Sequence, residues 1–184
     1  MKGKNYLALL RGINVGGKNT LKMDELKAIF EEMNFRNLQT YIQSGNIFLT
    51  DSETDKIKIA KRIENELFQK MGLKIFVLVL EISELENIIN NLPNGFGYEY
   101  KKYKYDIIFL GKPLTTKDVM KVITIKESEN KIYEGENVFY VKRLSEKLTG
   151  SYIAEISTKW EDVVVRNLNT SKKLYEIMLE RKEK

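Results

Sequence analysis

The residues best suited to chemistry lie near the start of the chain, in Arg11-Gly12-Ile13-Asn14-Val15-Gly16-Gly17-Lys18. Two cations bracket three glycines and an asparagine. Glycines admit positive φ and leave backbone N–H groups open to an approaching group. A loop of this kind between a strand and a helix is suited to holding an anion. The glycine spacing fits neither a Walker loop nor a dinucleotide fingerprint. A second polar stretch, Tyr41-Ile42-Gln43-Ser44-Gly45-Asn46, offers amides, a hydroxyl and another glycine. A third pair, Arg166-Asn167, ends an apolar run, and both types suit phosphate or carboxylate recognition. The candidate ligand-binding residues are therefore Arg11, Gly12, Asn14, Gly16, Gly17, Lys18, Tyr41, Gln43, Ser44, Asn46, Arg166 and Asn167. Each stretch also has a plain structural reading: a strand-to-helix turn, a hairpin with a left-handed glycine, and a helix cap.

Composition narrows the chemistry. The 184 residues include no histidine and no cysteine, which excludes imidazole bases, histidine zinc sites, thiolate nucleophiles and disulfides. Any catalysis would fall to carboxylates, Lys, Tyr, Ser/Thr, backbone donors or a bound Mg²⁺. No paired-carboxylate motif is evident, so catalytic residues and cofactors are left unassigned, no metal site is expected, and the question of enzyme activity stays open. The net charge of +5 and pI near 9.1 favour anionic partners in general without indicating nucleic acid. Hydrophobic residues make up 42%, enough for a core, and no stretch reaches the roughly 20 apolar residues of a membrane span. Lys2 and Lys4 lead into a strand within a few residues, unlike a signal peptide. With no cysteine, the expectation is a cytoplasmic protein with no membrane partner.

The elements that must position these residues follow from periodicity. A strand over about Asn5 to Arg11 precedes a helix with Met23, Leu26, Ile29, Phe30 and Met33 at helical spacing. Leu38 to Ile42 and Ile47 to Thr50 read as a hairpin around Gln43 to Asn46. A second helix starts near Thr54 and stops at Gly72, and Ile75 to Leu80 is a fourth strand, apolar at every position. Ser83 to Glu86 has capping-box spacing for a third helix. Pro93 to Lys104 reads as a linker. Beyond it come a strand (Asp106 to Leu110), a helix capped at Thr115 or Thr116, and a hairpin around Gly135-Glu136-Asn137. A helix near Ser151 to Lys159, the strand Val163 to Val165 and a final helix capped at Asn169 or Thr170 complete the series.

The order is β-α-β-β-α-β on both sides of the linker. The fold expectation is α+β, two ferredoxin-like subdomains with antiparallel sheets forming a pseudo-repeat. Residues 1–92 would hold the first subdomain plus an extra helix, 93–104 the linker, and 105–184 the second subdomain plus a terminal helix. In such a unit the first two strands run the same way with the third between them. The Arg11–Lys18 loop and the Gln43–Asn46 turn should then share one edge of the sheet. The linker's Phe96-Gly97-Tyr98-Glu99-Tyr100-Lys101-Lys102-Tyr103-Lys104-Tyr105 interleaves aromatics and cations, as single-strand-binding stripes do. A strap whose tyrosines pack on both halves is the simpler reading.

At these same residues the chain resembles a family of small bacterial proteins grouped as a domain of unknown function. Ala8 to Gly17 match its opening Ala-Leu-Leu-Arg-Gly-Ile-Asn-Val-Gly-Gly, Lys22-Met23 and Leu26 its helix, and Thr40 to Asn46 its second signature. Arg166-Asn167, Thr170 and Lys173-Leu174 match the third, although Leu168 stands where the family usually shows an aromatic. Its Ser-Lys-Leu segment is also weaker here, with Glu146 between Ser145 and Lys147. The resemblance implies no activity. The residues themselves lead to a protein binding a small anionic, phosphorylated or nucleotide-like ligand at the loop and hairpin edge. A nucleic-acid-binding module, the less favoured partner class, and a protein-interaction domain with purely structural motifs are the alternatives.

Overall fold

The computed structural model describes residues 3–14, 21–124, 130–145 and 152–182. Contacts divide the chain into two compact units, residues 1–85 with 174–184 and residues 86–173.

In the first unit the order is β1 (Lys4–Leu10), α1 (Met23–Glu32), β2 (Arg36–Thr40), β3 (Asn46–Asp51), α2 (Lys56–Met71) and β4 (Val77–Leu80). The strands form one sheet in the order β2-β3-β1-β4 with every neighbouring pair antiparallel. Strand periodicity sorts the side chains. Tyr6, Ala8 and Leu10 join Ile47, Leu49, Val77 and Val79 in a core with Leu26, Ile29 and Phe30 of α1 and Ile59, Ile63 and Leu67 of α2. Burying each large apolar side chain contributes about 1.5–3 kcal/mol, so this face holds the helices to the sheet. Leu7, Leu9 and Phe48 alternate with them onto the opposite face and are equally buried. That face is closed as well. The Arg181 guanidinium lies 5.6 Å from the Phe48 ring centre, and Asn5 Nδ2 donates to the Arg181 carbonyl at 2.9 Å.

The second unit repeats the plan. After α3 (Ile82–Asn90), which begins in the first unit, come β5 (Tyr103–Leu110), α4 (Thr116–Met120), β6 (Lys131–Gly135) and β7 (Val138–Leu144). Next are α5 (Tyr152–Lys159), β8 (Val163–Asn167) and α6 (Leu168–Lys182), whose residues from 174 belong to the first unit. The sheet order is β6-β7-β5-β8, again antiparallel throughout. Ile108, Leu110, Phe139 and Val141 pack with Val119, Tyr152 and Ile156. The expected α+β class, with two antiparallel four-stranded sheets and an element order that repeats, is what the chain forms.

Two helix starts differ from expectation. α3 begins at Ile82, one residue before the proposed Ser83 cap, and the Glu84 carboxylate accepts the Glu81 N–H at 2.9 Å. α6 begins at Leu168 directly from β8, and Asn167 Oδ1 accepts the Thr170 N–H at 2.8 Å. A strand that runs straight into a helix uses its last residue as the cap, so neither Asn169 nor Thr170 is needed there.

Candidate functional site

β1 and β2 run in the same direction on either side of β3, so the end of β1 and the turn after β2 meet at one edge. The Leu10 N–H donates to the Gly45 carbonyl at 2.8 Å, and the Arg11 N–H donates to the Phe76 carbonyl at 3.0 Å. Arg11 is thereby fixed at the point where β1 leaves the sheet, its side chain half-buried. The chain then turns through Gly12 and Asn14, at φ 64° and 55°. Between them Ile13 is buried in the core.

Asn14 fastens the two loops. Its Nδ2 donates to the Gln43 carbonyl at 2.9 Å and to the Leu21 carbonyl at 3.0 Å, and its Oδ1 accepts the Leu21 N–H at 2.7 Å. Asparagine tolerates the left-handed conformation this requires. Across the edge, the Tyr41 N–H donates to the Asn46 carbonyl at 3.0 Å. The fully buried Asn46 side chain donates to the Tyr41 carbonyl at 3.0 Å and to Ser44 Oγ at 2.8 Å. Ile42 sits in this turn at φ 49° while 49% exposed. A β-branched side chain in that region is strained.

The candidate residues thus divide. Asn14 and Asn46 use their amides to hold the edge together. Arg11, Tyr41 and Ser44 are half-buried and Gln43 exposed along it. Gly16, Gly17 and Lys18 lie outside the described residues. Arg166 and Asn167 belong to the second unit. Arg166 faces the same side of its sheet as Ile107, is only 7% exposed, and donates from Nη1 to the Val165 carbonyl at 2.9 Å. Burial pushes its pKa down to about 10. Asn167 caps α6.

One charged pair was not among the sequence candidates. Asp106 Oδ2 and Arg143 Nε are 2.8 Å apart and largely buried on the second sheet. Burial pushes the Asp106 pKa up, against the pull of Arg143. The signal was an aspartate and an arginine in the alternation of β5 and β7, at positions sharing a face with core residues Ile108 and Val141.

A family model described as a protein of unknown function, DUF1697, matches residues 4–140. The chain belongs to the DUF1697 family. That matched span takes in the Arg11 loop and the Tyr41–Asn46 turn and ends before Arg166. This DUF1697 protein is similar in structure to the conserved bacterial protein SP0830 from Streptococcus pneumoniae, with a TM-score of 0.79 and 23% identity over 96% of this chain and 99% of that one. At that identity the likeness shows a shared fold. Among curated proteins, none matches it. No helix among the described residues is long and apolar enough to cross a membrane.

Proposed function

We propose that the edge formed by the Arg11–Asn14 loop and the Tyr41–Asn46 turn binds a small anionic ligand, phosphorylated or nucleotide-like. The observation that carries this reading is the Asn14 side chain bridging to the Gln43 carbonyl. It makes one surface of two loops distant in sequence, with Arg11 beside it. Arg11 supplies charge, Gln43 and Ser44 supply oriented polar contacts, and Gly12 allows the backbone to turn. An arginine holds phosphate or carboxylate through paired bonds. A chain without cysteine suits the reducing cytoplasm, where such ligands are found. Binding is the proposed activity; turnover would require a carboxylate or lysine base or Mg²⁺.

Thermal melts of wild type and Arg11→Ala against inorganic phosphate, AMP, ATP and a sugar phosphate test it. At 100-fold excess over Kd a bound ligand stabilises by about 2.7 kcal/mol. A charge-assisted hydrogen bond contributes about 1.5–3 kcal/mol, so Arg11→Ala should weaken binding at least about tenfold. A mutant that responds like wild type, or a wild type indifferent to every anion, defeats the proposal. A second reading, in which the motifs specify folding alone, is favoured by the commitment of the Asn14 and Asn46 amides to internal bonds. Indifference of the wild type would select it.

A further inference from the structure

The aromatics between Pro93 and Tyr105 divide into two sets. Phe96, Tyr103 and Tyr105 are buried, and the Phe96 ring meets Tyr105 and Tyr140 edge-on with centres 4.8 and 5.8 Å apart. This set packs within the second unit. Tyr98 and Tyr100 are 83% and 45% exposed. An aromatic ring normally brings a large area into the core, so a tyrosine left almost wholly in water forgoes most of that gain.

The backbone on either side of the exposed Tyr98 is fastened. Gly97 has φ 92°, and a Cβ there would fall 2.7 Å from Leu168 Cδ2, so the chain passes closely over α6 just before Tyr98. On the other side, the Lys102 and Tyr103 N–H groups both donate to the Glu99 carbonyl, at 3.0 and 2.9 Å. Tyr100 is braced as well: its ring meets Tyr105 edge-on at 5.3 Å and its hydroxyl donates to Asn169 Oδ1 at 2.8 Å. A braced, partly exposed ring and a second ring almost wholly in solvent thus lie two residues apart.

The surrounding charge is cationic. Lys101 and Lys102 are exposed. The Glu99 carboxylate within the turn is offset by Lys142 at 2.8 Å. We propose that Tyr98 and Tyr100, with Lys101 and Lys102, form a platform for single-stranded nucleic acid, bases stacking on the rings and phosphates meeting the ammonium groups. Duplex bases keep their faces inside the stack and cannot use such rings. An acidic peptide would satisfy the lysines but leave two presented rings without a role. The platform belongs to the second unit and uses none of the Arg11 edge, so each reading can fail without the other.

Fluorescence anisotropy of the full chain with fluorescein-labelled oligothymidylate, and with a duplex of equal length, tests the proposal. Wild type should bind the single strand in preference. Tyr98→Ala should weaken it about tenfold, the scale of one lost base–aromatic stack, while Tyr98→Trp retains binding. Lys101→Ala with Lys102→Ala should flatten the dependence of log K on log salt by about 1.4, from two contacts at about 0.7 each. Unchanged melting temperatures would show that the variants fold. Absence of single-strand binding, equal affinity for duplex, or a Tyr98→Ala protein that binds like wild type would overturn it.

Discussion

Replacing Gly45 with alanine should destabilise the protein far more than the same change at Gly12, because only Gly45 is pressed against the end of β1. Both have positive φ, +69° and +64°. The left-handed conformation costs an alanine about 1–2 kcal/mol, and the stiffer unfolded chain returns about 0.4–1 kcal/mol. The conformational effect alone is thus about 0.5–1 kcal/mol of destabilisation at either site. A Cβ on Gly12 meets nothing within 4 Å, so nothing is added there. A Cβ on Gly45 falls 2.8 Å from Leu10 Cβ and 3.4 Å from both Ile13 Cδ1 and the Leu10 carbonyl oxygen. Leu10 Cβ cannot swing aside as a side-chain tip would, and shifting the turn would strain the Leu10 N–H bond to Gly45 O at 2.8 Å. Overpacking of this sort adds about 1–3 kcal/mol, for a total of about 1.5–4 kcal/mol, or a fall of several degrees in Tm at about 2–4 °C per kcal/mol. Urea unfolding followed by far-UV circular dichroism reads the difference. The single tryptophan, Trp160, lies in the second unit, so its fluorescence would follow the wrong half. If Gly45→Ala and Gly12→Ala were equally stable, the turn would not lie against β1 and the proposed site would lose its geometry.

Two further outcomes are expected. Ile42→Asn should stabilise the protein by about 1 kcal/mol in the same urea assay, by relieving a β-branched residue at φ 49° that is already half in water; a loss of stability would show that the Ile42 side chain holds the turn. Asp106 has a folded pKa raised above 3.8, chiefly by burial, so its protonated form favours the folded state. Its contribution is fully present below 3.8 and is lost as pH rises through the folded value. The stability difference between wild type and Asp106→Asn should therefore shift against wild type as pH rises from about 3 to about 7, and a pH-independent difference would refute the burial argument.

Local patterns made most of the fold legible. The 3.6-residue spacing of Leu26, Ile29 and Phe30, the alternation along β1 and the Gln43–Asn46 turn each carry their own signal, and element order then dictates which loops share an edge. What stayed hidden depends on register. Arg166 reads as a candidate for phosphate or carboxylate recognition at a strand end, yet opposite Ile107 it is buried. Asp106 and Arg143 meet only because β5 and β7 pair with Lys104 beside Arg143, one position along the same face. The start of α6 at Leu168 carries no sequence signal because no turn residues separate it from β8. Within the Pro93–Tyr105 segment, composition could not say which tyrosines the core would take.

The signature residues at the first edge do more than a turn demands. A strand-to-helix connection needs a residue that tolerates positive φ, and Gly12 already provides one. Here Asn14 adds three hydrogen bonds that tie the loop to itself and to Gln43, and Asn46 closes the facing turn from a fully buried position. Ordering a loop residue costs about 1–2 kcal/mol of backbone entropy. Fastening both loops in advance would remove that cost from the proposed binding step. Asparagine or glycine would hold the same φ as Ile42 with less strain, and the Ile42 side chain is half exposed. Strain at Ile42, beside a half-buried arginine on a pre-fastened frame, is the feature on which the proposed binding reading and the purely structural one part, and the Ile42→Asn and Arg11→Ala variants separate them.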